Sequence, residues 1–338
     1  MPQSRHWQGQ APRASLLHPM VEPTSNSEPA EAAFVARCLL GPGVVGASRK
    51  ISMLDLRVWA ALCGLLHTQH LSARGEQDPD IAHPLARTVE TTGYQLAERV
   101  CADVGGTQYR ALLRSLIRLA DTRACVQTVE RDPELAAQLV RAGYVPLIGE
   151  VWLATMRLDL RSHREWGALK ASTSVKVEIG HWTAQQIVAG RCTWLDLDLL
   201  RELGSGLAAR VWIALEAWAR WPQRSMDGRE ECAIGLGAPA LQSLGVGNYG
   251  RLERARNALN RAGAQLVSVD PAYENVGCEH RGGGWSLVVR RVCGSKARTQ
   301  ARQGAPWRSQ GVAAAKRQRQ AGRAERAQVR AAIHASLG

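Results

Sequence analysis

The run Gly105–Leu119, GGTQYRALLRSLIRL, has a partner at Gly245–Leu259, GVGNYGRLERARNAL. Laid one on the other, Gly105 falls on Gly245, Tyr109 on Tyr249, Leu112 on Leu252, Arg114 on Arg254 and Leu119 on Leu259. Each copy is a Gly-rich turn, a tyrosine and an amphipathic helix with apolar residues on one face and arginines on the other. A short helical segment precedes each copy and a β-rich run follows it. Helix, Gly turn, helix, hairpin is the order of the winged helix-turn-helix, whose second helix enters the DNA major groove. The expected fold is therefore α+β: tandem winged-helix domains, with a disordered N-terminal lead and a basic C-terminal tail.

Working outward, residues 1–33 are rich in Pro, Ser, Gln and Glu and read as a disordered lead-in. Phe34–Leu40 suits a short helix, broken by Gly41-Pro42-Gly43. The glycines around Gly41 and Gly46 mimic a phosphate loop, but no lysine stands where the phosphates would need it. Leu54–His67 has helical spacing, with Ser52 or Asp55 placed to help satisfy its first N–H groups. Thr91 or Thr92 caps a helix over about Tyr94–Cys101, and the first repeated helix runs Tyr109–Ala120. Ala124–Glu130 alternates as a strand. An insertion at Pro133–Gly143 and a β-rich run over Tyr144–Leu160 complete an enlarged wing. The first domain is thus set at 34–160, the linker at 161–173 and the second domain at 174–293.

The second domain is expected to open with a strand, Val175–Ile179. Helices follow near Thr183–Ala189, Asp196–Leu203 and Ser205–Trp221, the last ended by Pro222. After Pro239–Leu244 and the Gly turn comes the helix Arg251–Arg261. Ala264–Val269 and Trp285–Arg291 should pair as its wing, around a tip containing Arg281–Gly284. The tail occupies 294–338.

Of 338 residues, 45% are hydrophobic, enough for two cores. No apolar run approaches the ~18–20 residues of a membrane span. Eight scattered cysteines, none in a CxxC pair, read as reduced thiols and not as a disulfide frame or zinc site. The expectation is a soluble, cytoplasmic protein. The net charge is +13, and from Lys296 to the end ten Lys or Arg face only Glu325. A field of that sign suits an anionic polymer.

On the first helix Arg110, Arg114 and Arg118 recur every four residues, opposite Leu112, Leu116 and Leu119. On the second, Arg251, Arg254 and Arg261 oppose Leu252, Ala255 and Leu259, and Arg256 falls where the first copy has Leu116. Guanidinium forks grip phosphate or the guanine edge bidentately. Thr107, Gln108 and Asn248 at the helix entries are placed for adenine edges or phosphates. Tyr109 and Tyr249 either set a hydroxyl on phosphate or pack. Arg281 sits on the wing. The tail's Lys316, Arg317 and Arg319 lead a run of cations that reads as a phosphate-contacting arm.

Catalytic readings fail their context. Gly245, Gly247 and Gly250 match GxGxxG without the βαβ unit that dinucleotide binding needs. His67 with His70, and Cys278 with His280, lack further metal ligands. Neither a nickase's metal-histidine and tyrosine set nor a primase-like carboxylate cluster occurs. No enzymatic activity, cofactor or metal is expected.

LRVWAALCGLL with YRALLRSLIRLADT, and then WLDLDLLRELGSGLAARVWIALEAW, resemble the theta-type plasmid replication initiators across Phe34–Val292. The insertion and the basic tail do not map onto that pattern. The resemblance implies two winged-helix domains bound to direct repeats in double-stranded DNA at an origin, where they help open AT-rich DNA. It implies as partners a host replication initiator and the replicative helicase, and a homodimer through the first domain that represses its own gene. A winged-helix transcriptional regulator is the alternative, and a DNA-processing enzyme the third reading.

Overall fold

Ser52 starts the helix around which the first half is built, α1 (Met53–Leu66). Its Oγ accepts the Asp55 N–H at 3.2 Å, while Asp55 Oδ2 accepts the Ser52 N–H at 2.8 Å, a reciprocal capping box. α1 is apolar almost all round and accordingly buried on nearly every side. The computed structural model describes residues 8–12, 34–37, 43–47, 51–71, 81–101, 104–128, 145–154, 156–157, 169–217, 223–224, 229–292, 298 and 300. The expected insertion at Pro133–Gly143, most of the linker and nearly all of the tail lie outside them.

The architecture is mixed α and β, small antiparallel sheets alternating with helices. Strand β1 (Gln8–Pro12) comes first, then β2 (Phe34–Arg37) and β3 (Gly43–Ala47), then α1. Strand β4 (Thr88–Thr92) runs directly into α2 (Gly93–Val100), capped by a Thr92–Gln95 box. After a turn come α3 (Gly106–Asp121), β5 (Arg123–Thr128), β6 (Val145–Pro146), β7 (Ile148–Leu153), β8 (Met156–Arg157) and β9 (Ser174–Ile179). The second half holds α4 (His181–Val188), β10 (Cys192–Asp196), α5 (Leu197–Leu203), α6 (Leu207–Ala217), β11 (Gln223–Arg224) and β12 (Arg229–Gly235). It closes with α7 (Ala238–Ser243), α8 (Leu252–Val269), β13 (Tyr273–Arg281) and β14 (Gly284–Val292).

The sheet orders expose a repeat deeper than the one in the sequence. One sheet runs β4-β9-β7-β8, another β11-β12-β14-β13. In each half, a strand ahead of a short helix (β4 or β12) pairs with the last strand of the unit (β9 or β14), which pairs in turn with a strand that follows the third helix (β7 or β13). α1, β4, α2, α3, β7 and β9 thus correspond to α6, β12, α7, α8, β13 and β14.

Four expectations need correction. Val175–Ile179, expected to open the second domain, is β9 and lies between β4 and β7 in the first half's sheet. Phe34–Leu40 was expected to be helical, yet Phe34–Arg37 is β2, paired to β3, which pairs to β5. β-branched Val35, Val44 and Val45 favour that outcome. Ala264–Val269 continues α8, because Leu266 falls one turn after buried Ala262 and is itself buried. The strands that pair as a hairpin are β13 and β14, joined by Gly282-Gly283, both at positive φ as in a tight two-residue hairpin turn.

The fourth concerns the N-terminal lead. β1 pairs antiparallel with β10, from Gln8–Asp196 to Pro12–Cys192, and packs on α1. A Cβ on Gly9 would stand 2.7 Å from the carbonyl carbon of Ala60, so only glycine lets the two backbones approach this closely. Ala11 is fully buried beside it. The halves are joined again at Arg201 of α5, which donates to the Cys101 carbonyl at 2.8 Å and the Glu98 carbonyl at 3.2 Å. It thereby satisfies orphan carbonyls at the end of α2.

Candidate nucleic-acid interface

α3 begins at Gly106 with no side-chain cap. Thr107 is exposed at its first turn, and Gln108 is half-buried, its Oε1 3.2 Å from where a Cβ on Gly105 would be. Tyr109 packs against the core, and burial, then the neighbouring Tyr94, pushes its hydroxyl above the ordinary range. Of its two readings, phosphate contact or packing, the geometry gives it packing. Leu112, Leu113, Leu116 and Leu119 are buried as the period requires, and Arg110 and Arg114 stand exposed on the outer face.

Arg118 leaves that stripe. Its Nη2 lies 2.7 Å from Asp55 Oδ1 and its Nε 3.0 Å from Oδ2, and Asp55 is fully buried. The third arginine thus anchors α3 to the start of α1, which corrects its expected place in DNA contact.

α8 is entered through a turn in which Gly245 and Gly250 hold φ of 81° and 66°. Asn248, Tyr249, Arg251 and Arg254 are exposed there, with Arg251 in the N-cap position. Leu252, expected to face the core, is 41% exposed. The buried residues of α8 are Ala255, Ala258, Leu259, Ala262, Gly263 and Leu266. They match Leu112, Ser115, Leu116 and Leu119 only when the sequence alignment slips by three residues, Leu112 onto Ala255 and Leu116 onto Leu259. In that register Leu252 corresponds to Tyr109, and Arg256 to Leu113 rather than to Leu116. The guanidinium of Arg256 stacks 3.1 Å over the Trp285 ring, tying the helix to the β13–β14 hairpin.

At the tip of the β13–β14 hairpin Arg281 is exposed but held. It donates to Glu231 at 2.9 Å and ion-pairs with Glu279, while Arg290 donates to the other Glu231 oxygen at 2.7 Å. The two arginines hold the Glu231 carboxyl below its ordinary range, and the carboxylates raise Arg281 in return. Sequence reading missed Glu231 and Arg290; the strand alternation of Arg229–Gly235 was the available signal, but pairing with a hairpin fifty residues on was not in it. Lys316, Arg317 and Arg319 lie outside the described residues.

Among the described residues no three His, Cys, Asp or Glu side chains stand together as a metal site, and no helix is long and apolar enough to cross a membrane. No family model and no curated protein matches the chain. Among solved structures it is similar to a selenomethionine crystal structure of domains 2 and 3 of RctB. That match has a TM-score of 0.47 and 9% identity, covering 83% of this chain and 98% of that one. It is similar also to a structure of RctB residues 155–483, at a TM-score of 0.41 and 10% identity, covering 80% and 94%.

Proposed function

We propose that this chain is a tandem winged-helix protein that binds double-stranded DNA sequence-specifically and initiates plasmid replication at an origin of direct repeats. One observation carries the reading. The order helix, strand, helix, turn, helix occurs twice; in each unit the strand ahead of the short helix pairs with the unit's last strand, which also pairs with β7 or β13, and each third helix presents exposed arginines at or near its entry. The first unit runs from α1 to β9 and the second from α6 to β14. α3 contributes Thr107, Arg110 and Arg114; the turn into α8 contributes Asn248, Tyr249 and Arg251, and α8 itself Arg254. Non-identical helices favour an asymmetric site, which suits direct repeats better than a palindrome. The basic tail adds sequence-independent phosphate contacts. The role is non-enzymatic and cytoplasmic, with a host initiator and the replicative helicase as protein partners and a homodimer through the first unit.

Footprinting of purified full-length protein on DNA flanking its own gene, at ~150 mM salt with competitor, tests the proposal. Evenly spaced protected repeats beside an AT-rich tract are the expected result. A single protected palindrome over a promoter moves the assignment to a transcriptional regulator, and absence of discrete protection ends the DNA-reading proposal. Metal-dependent nicking by the pure protein would instead make it a DNA-processing enzyme.

A further inference from the structure

Large apolar side chains are exposed at only five described positions: Leu85, Tyr94, Trp194, Tyr249 and Leu252. Two of the five, Tyr249 and Leu252, fall within four residues of each other at the entry of α8, among Asn248, Arg251 and Arg254, all exposed. Leu252 is the first residue of the helix proper, and the next buried position on the helix is Ala255. It therefore contributes little to the core, and in water its exposed surface is unfavourable. The matching residue of the first unit, Tyr109, does pack, so the outward leucine is particular to the second unit. In a winged helix this end of the third helix is the one that faces base edges. The apolar feature of the major groove is the C5 methyl group of thymine. Leucine beside guanidinium groups fits a groove in which phosphates and purine acceptors border a methyl.

We infer that Leu252, with Tyr249 beside it, reads thymine methyl groups in the major groove and makes the second unit selective for T-containing steps. The inference rests on the DNA-binding reading above and adds a residue that the arginine pattern does not supply.

The test uses full-length protein and the duplex protected in the footprint, made once with thymidine and once with deoxyuridine throughout. Deoxyuridine keeps every hydrogen-bonding group and removes the methyl. Wild-type protein is expected to bind the uracil duplex about fourfold more weakly for each methyl contacted, the worth of one buried methyl group. Leu252→Ala is expected to shrink the difference between the two duplexes, by losing affinity on thymine and not on uracil, and Leu252→Met to retain it. Because Leu252 lies outside the core, these variants should keep the wild-type melting temperature. Equal wild-type binding to both duplexes, or an unchanged ratio in Leu252→Ala, overturns the inference while leaving DNA reading intact. Loss of discrete protection on the thymine duplex sinks both.

Discussion

Arg118 and Asp55, sixty-three residues apart in sequence, form a forked ion pair in which the carboxylate has no solvent exposure. The same carboxylate accepts the Ser52 N–H at the start of α1. One acidic side chain thus caps the central helix and fastens the third helix to it. Arg118→Ala strands that charge, and such losses cost about 3–5 kcal/mol. A large fall in the denaturation midpoint is expected, with the salt dependence of DNA binding unchanged in the protein that remains folded. Wild-type stability with a reduced salt slope would return Arg118 to the DNA face.

Arg254 behaves oppositely. It is exposed and projects from the first turns of α8. Arg254→Ala should weaken specific binding by about 1–3 kcal/mol while leaving the melting temperature in place. Titration against specific and scrambled duplexes distinguishes this from a phosphate contact, which would weaken both equally.

Glu231 restrains the β13–β14 hairpin. By holding Arg281 and Arg290 together it competes with phosphate for both guanidinium groups. Glu231→Gln removes one negative charge and weakens both pairs. Binding to non-specific duplex should tighten, and the slope of log K against log salt should steepen by ~1. Weaker binding would mean that Glu231 instead orients Arg281 for its contact.

The clasp at β1 depends on one missing side chain. Gly9→Val places atoms into the Ala60 backbone, and overpacking of this kind costs about 1–3 kcal/mol. Hydrogen exchange should show faster exchange over Cys192–Asp196, the strand that β1 covers, with α8 unaffected.

Two thiols predict an alkaline weakness. Burial pushes Cys232 up to about 12 and Cys278 up to about 11, against an ordinary value of 9.0. Below pH 9 folded and unfolded chains both keep these protons, so stability is unaffected. Above it the unfolded chain ionises first, and stability falls until the folded thiols ionise in turn. The slope for buried Cys232 is up to about 1.4 kcal/mol per pH unit. Urea midpoints at pH 8 and pH 10.5 should show the fall, and Cys232→Ala should lessen it.

The helices were largely legible in the sequence because their signals are local. Ser52 and Asp55, Thr92 and the leucines of α3 each sit within one or two turns of the residues they act on. What escaped was nonlocal. Alternation in Val175–Ile179 announces a strand but not which sheet receives it. Arg118 at four-residue spacing looks like a solvated stripe until Asp55 is brought against it. The glycines of the two repeated turns drew the copies into one register, whereas the buried residues of α8 set another, three residues along. That slip explains why Leu252 read as core and Arg256 as an intruder.

The pairing of β1 with β10 has a consequence for how the chain is made. Residues 8–12 leave the ribosome well before their hydrogen-bonding partners at Cys192–Asp196, which follow only after the whole of α1 to β9 has been synthesised. At the usual elongation rates of ~5–20 residues per second the wait is ~10–40 s. During it α1 can form its capping box and recruit α2 and α3, while the surface around Ala60 stays open. Closure of that surface then reports that translation has passed Asp196, so a strand made ahead of the first unit finds its place only after that unit is complete.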